Sequence, residues 1–143
     1  MEGWEKSMLN TLQLRINQHQ FLNELRIKLM HLHRQLLDTE RISYEQVRGQ
    51  VSRGELLQLV INHEQFAWLH RLSELIVQID DLLHADEPIT AETIALLMAD
   101  VRILLLPDEL GDDFAMKYDA ALQRSPDVIL AHADVVMLLN THL

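Results

Sequence analysis

Cysteine is absent from the 143-residue chain, which excludes disulfide bonds, thiolate metal ligands and cysteine nucleophiles together. Glycine and proline are scarce, at 4 and 3 residues, so long stretches are free of the residues that break helices. Long apolar runs are missing too. The strongest, Val135 to Leu139, falls far short of the roughly 18 residues that suggest a membrane span. The opening Met1-Glu2-Gly3-Trp4-Glu5-Lys6 lacks the basic start and apolar core of a secretory signal. These absences predict a soluble, cytoplasmic protein.

Basic charge is thin where acid is dense. Residues 1–55 hold seven acids and eight bases, whereas residues 74–119 hold twelve acids against Arg102 and Lys117 alone. That region accounts for a local charge of −10, equal to the formal charge of the whole chain. Such a surface repels phosphate backbones and anionic lipid headgroups. Neither nucleic acid nor membrane is expected as a partner.

What is present is a helical pattern. Hydrophobic residues make up 48% of the chain, enough for one buried core, and the length suits a single domain spanning residues 1–143. From Trp4 to Arg48 there is neither glycine nor proline, and good helix formers dominate. Leu22, Leu25, Leu29, Leu32 and Leu36 recur at three- and four-residue spacing and form one apolar stripe. Leu9, Leu12 and Ile16 form a second, rotated from the first. As one helix, Trp4–Arg48 would be about 68 Å long, against about 40 Å for the diameter of a domain this size. The helix therefore either breaks near Asp38-Thr39 or overhangs the domain.

Downstream, capping signals delimit shorter helices. Ser52-Arg53-Gly54-Glu55 has the form of a capping box. Asn62, with Gln65 three residues on, predicts the start of a helix to about Ala85, lined by Leu69, Leu72, Ile76, Ile79 and Leu83. Thr90 caps a helix carrying Ile94, Leu97, Met98, Val101 and Leu105 that stops at Pro107. Asp112-Asp113 start a short helix with Phe114, Tyr118, Ala121 and Leu122, and Ser125-Pro126-Asp127 start a last one that is apolar nearly all round. The fold class is all-α, a bundle of five to six helices with a long N-terminal helix. Its expected core includes Leu29, Leu32, Leu69, Leu72, Ile76, Ile79, Leu97 and Val101.

Phe66-Ala67-Trp68-Leu69, Leu72-Ser73-Glu74-Leu75-Ile76 and Ile79-Asp80 resemble a pattern found in uncharacterised bacterial helical proteins. So do Leu37-Asp38-Thr39-Glu40-Arg41 and Ala121 to Val128. The resemblance implies a helical fold and a bacterial origin. It brings no activity, cofactor or catalytic residue.

The chemistry available rests on eight histidines. On a helix from Asn62 to Ala85, His63, His70, Glu74, Asp81 and His84 fall within about 60° of one line. Imidazole and carboxylate groups so placed are candidate zinc or iron ligands. The line lies opposite the leucine–isoleucine stripe, where a solvated face belongs, and the repeated Glu-x-x-His pattern of di-iron bundles is missing. A solvated face is the preferred reading. His19 and His33 are about 21 Å apart along a straight helix and form no shared site. His33, at the edge of the leucine stripe, reads as a hydrogen-bonded core histidine, and His132, on the last helix, as a satisfied core or interface histidine. No catalytic, cofactor or metal site is assigned.

Three functions from different classes remain. The leading one is a non-catalytic, self-associating helical module for protein–protein interaction, expected as a homodimer built partly on the first helix, with the last helix as a second candidate surface, and needing no cofactor. The second is a metal-dependent helical-bundle enzyme or sensor using the His, Glu and Asp groups. The third binds a small apolar ligand, with Met30, Met98, Met116 and Met137 as adaptable lining.

Overall fold

The computed structural model describes residues 2–142, with Glu2 described by its backbone alone. It is all-helical: 84% of the chain is helix and the described residues contain no strand. Seven helices follow in order: α1 (Glu2–Arg48), α2 (Arg53–Asn62), α3 (Glu64–Ala67), α4 (His70–His84), α5 (Ala91–Leu104), α6 (Asp113–Arg124) and α7 (Pro126–Thr141).

α1 organises the rest. Leu22, Leu25, Leu29, Leu32 and Leu36 are completely buried, and α4 and α7 pack along the helix that carries them. Both run antiparallel to α1. On the α4 side His33 meets Ser73 and Arg26 meets Asp80. On the α7 side Arg124 at the entry meets Ser43, and Phe21 stacks on His142 at the exit. Burying one such leucine contributes about 1.5–3 kcal/mol, so this stripe alone accounts for much of the cohesion among α1, α4 and α7.

α1 does not break at Asp38-Thr39. The Thr39 hydroxyl donates to the Gln35 carbonyl one turn back, and Arg41 joins Asp38 and Glu45 on the helix surface. Both polar residues are thus satisfied within a continuous helix. It ends at Gly49, whose φ of +85° allows its N–H to reach the Glu45 carbonyl at 2.9 Å. Only glycine takes that left-handed position without strain.

The expected helix from Asn62 to Ala85 is two helices. Asn62 ends α2 rather than opening α3, and His63, extended at φ −92°, ψ 135°, is the cap: its Nδ1 accepts from the Gln65 N–H. The chain then tightens, with Leu69 N–H bonding to Phe66 O and Leu72 N–H to Leu69 O. The cause is core packing. Phe66, Trp68 and Leu69 are all buried, yet residues two apart on a regular helix point about 200° from each other. This junction and the separate α3 raise the helix count from the expected five or six to seven. Ile76, expected in the core, is only partly buried against it.

The remaining caps form as the sequence implies. Ser52 accepts from Glu55 N–H, Thr90 from Thr93 N–H, Asp112 from Ala115 N–H and Ser125 from Val128 N–H. Each such cap is worth about 1 kcal/mol. Ser125 alone separates α6 from α7 and forces them into a tight pair.

Candidate functional site

The most unusual surface lies at the start of α1. Every residue from 3 to 17 is exposed, and the first buried one is Gln18. About four turns of helix therefore project past the end of the bundle. Trp4, Met8, Leu9, Leu12 and Ile16 are 56, 49, 63, 48 and 50% exposed. At 100° per residue they cluster about 110° round the helix from the buried leucine stripe. They face the side of α1 that α4 occupies further along. α4 ends at His84, and beyond it this face of α1 has no cover.

At the base of the arm, where α4 gives way to the α4–α5 link, is a surface cleft of about 240 Å³. Arg15 and His19 of α1, Leu82 and Leu83 of α4, and the link residues Ala85 to Ile89 line it. Asp86 and Glu87 make its rim acidic. A separate apolar stripe runs along the outer side of α7, where Ile129, Leu130 and Met137 are exposed. Contiguous apolar surface of this kind marks places where proteins meet.

Four of the five histidine and carboxylate candidates, His70, Glu74, Asp81 and His84, share the exposed face of α4, as a solvated face requires, and only His63 leaves that line. His63 caps α3 and meets Tyr44 edge-on at 5.5 Å between ring centroids. His70 opens α4, and its Nε2 donates to the Val60 carbonyl at 2.9 Å. His84 closes α4 with Nδ1 donating to the Asp80 carbonyl. Glu74 and Asp81 are exposed on the same helix. Among the described residues no three His, Cys, Asp or Glu side chains converge as metal ligands would. Of the four methionines, Met98 is buried while Met30, Met116 and Met137 are exposed, so they do not line one cavity.

Of the polar pairs that cross between helices, three tie packing to chemistry. His33 Nε2 lies 2.9 Å from the Ser73 hydroxyl, which also donates to the Leu69 carbonyl. Burial and, secondarily, the nearby His70 push the His33 pKa down. A small, mainly apolar cleft of about 250 Å³ adjoins the pair, bounded by Met30, Ile76 and Val77. Ser73 sits in the first turn of α4, with its backbone N–H bonded to the Leu69 carbonyl.

His132 is half-buried rather than buried, and its Nδ1 is 2.6 Å from the Tyr118 hydroxyl. Burial raises the Tyr118 pKa and lowers that of His132. Burial thus keeps both rings neutral, and they share one hydrogen bond that joins α6 to α7.

The third pair was not legible beforehand. Glu40 is buried and accepts from the Trp68 indole at 3.2 Å and from Gln65 Nε2 at 3.0 Å, with Arg124 at 3.9 Å. It links α1 to the α3–α4 junction and to the end of α6. Glu40, Trp68 and Arg124 come from three of the segments that carry the resemblance to bacterial helical proteins. Comparison with family models, with curated proteins and with solved structures finds no match.

Proposed function

We propose that this chain is a non-catalytic, self-associating helical module for protein–protein interaction, assembling as a homodimer through the arm of α1. The observation that carries the reading is the arm itself: about four turns of helix, apolar on one side, with no part of the bundle over them. Apolar surface left in water costs roughly 25 cal/mol per Å², and a helix arm without tertiary packing loses the main source of helical stability in proteins. A two-fold exchange of arms removes both costs at once, and two-fold dimers are the commonest oligomers. The near-neutral first third of the chain supports such pairing, since two acidic surfaces would repel. The outer face of α7 then remains for a protein partner.

Hydrogen exchange along residues 3–17 tests this. Covered arms give protection that deepens as protein concentration rises. Arms that exchange at the rate of free peptide at every concentration would remove the basis of the proposal.

A further inference from the structure

Resting on the dimer reading above, we infer that each arm docks antiparallel against the other copy's α1, in the place α4 vacates, with Trp4 seated in the cleft at the base of the partner's arm. The occupant is a second copy of this chain, and three features of the fold argue for it.

The first is alignment. α4 runs antiparallel to α1 from the level of His33 to that of His19, and stops. A second α1 arriving antiparallel continues the same groove in the same direction, over Trp4, Met8 and Leu12. Those residues lie on the side of α1 that α4 covers further along.

The second is length. With the two-fold axis at Leu12, residue 4 of one copy falls at the level of residue 20 of the other. That is the level of His19, which lines the cleft. Met8 then meets Ile16 across the axis and Leu12 meets Leu12, while Leu9 falls at the level of Arg15, whose aliphatic stem can cover it.

The third is charge. The arriving helix presents its N-terminal, positive end to the C-terminal, negative end of α4 and to Asp86 and Glu87 on the cleft rim. Head-to-tail dipoles favour that arrangement, against the Glu5 carboxylate that the same end brings toward the rim. The same register sets Glu5 of each copy opposite His19 of the other, an acid facing a potential cation.

Cysteine cross-linking reads the register directly, because the native chain has no cysteine. The substitutions Leu12→Cys, Trp4→Cys and His19→Cys are all at exposed positions, and circular dichroism checks that each variant keeps its helix content. A bis-maleimide spanning about 10 Å matches the spacing of packed helices. The expected result is a covalent dimer from Leu12→Cys alone and from mixed Trp4→Cys and His19→Cys proteins, but none from Trp4→Cys alone. In the antiparallel register two Trp4 positions are about 24 Å apart along the helix.

Efficient cross-linking of Trp4→Cys to itself means parallel arms. It overturns this register and leaves the homodimer standing. No cross-link from any variant, in a protein that light scattering shows as a dimer, places the interface elsewhere and overturns both the register and the arm as interface. A monomer throughout overturns the dimer reading itself.

Discussion

The Trp68 indole N–H donates to a Glu40 carboxylate oxygen 3.2 Å away, with both side chains buried. Gln65 donates to the other oxygen, so one carboxylate holds the α3–α4 junction against α1. Glu40→Leu leaves the indole without an acceptor and Gln65 with only the residue-40 backbone carbonyl at 3.4 Å, and a buried unsatisfied donor costs about 1–3 kcal/mol. The expected outcome is a lower urea midpoint for Glu40→Leu and a smaller loss for Glu40→Gln, which keeps one acceptor oxygen. Equal stability for wild type and Glu40→Leu would show that the pair holds nothing.

Stability should fall on mild acidification. Burial lowers the pKa of both His33 and His132, so the folded protein resists protonation that the unfolded chain accepts near its ordinary value of 6.5. Above that value neither state is protonated and there is no penalty. As pH drops below it, the unfolded chain binds more protons and stability declines, until the folded-state pKa values are also passed. Urea unfolding at pH 7.5 and pH 5 measures this, and the slope should flatten in a His33→Asn, His132→Asn double variant. An unchanged slope in that variant would assign the pH dependence to other groups.

Gly49→Ala should destabilise by about 1–2 kcal/mol, the cost of a side chain in the left-handed region. Nothing lies within 4 Å of a Cβ at this position, so backbone strain alone sets the loss. Thermal unfolding gives the value, and an unchanged midpoint would mean that α1 can end otherwise.

Leu29→Ala removes a side chain with no exposure at all from the middle of the α1 stripe. A loss of about 2–5 kcal/mol is expected, as for other buried leucines. Leu9→Ala, on the exposed arm, should cost far less in a dilute sample. Denaturant titration of the two variants side by side checks the contrast.

Much of this fold is readable in the sequence because it rests on local rules. The leucine spacing from Leu22 to Leu36 specifies a buried face, and Ser52, Thr90, Asp112 and Ser125 announce helix starts by their own hydroxyl and carboxylate chemistry. The length of the unpunctuated segment from Trp4 to Arg48 implied either a break or an overhang, and the overhang is what forms. The α3–α4 junction was hidden because it answers to tertiary packing: Phe66, Trp68 and Leu69 must all enter the core. His63, a candidate ligand when set on one helix with His70, is a cap once that helix divides. Glu40 with Trp68, and Tyr118 with His132, stayed invisible for a related reason. Each pair joins separate helices, and no periodicity within one helix points to its partner on another.

The most direct measurement is the mass of the protein in solution, by multi-angle light scattering at tens of micromolar. Twice the 16.6 kDa of one chain is expected, falling to a single chain mass in a Leu12→Glu, Ile16→Glu double variant that keeps its helical circular dichroism. A wild-type protein that stays at 16.6 kDa across that concentration range would contradict the arm as a self-association surface.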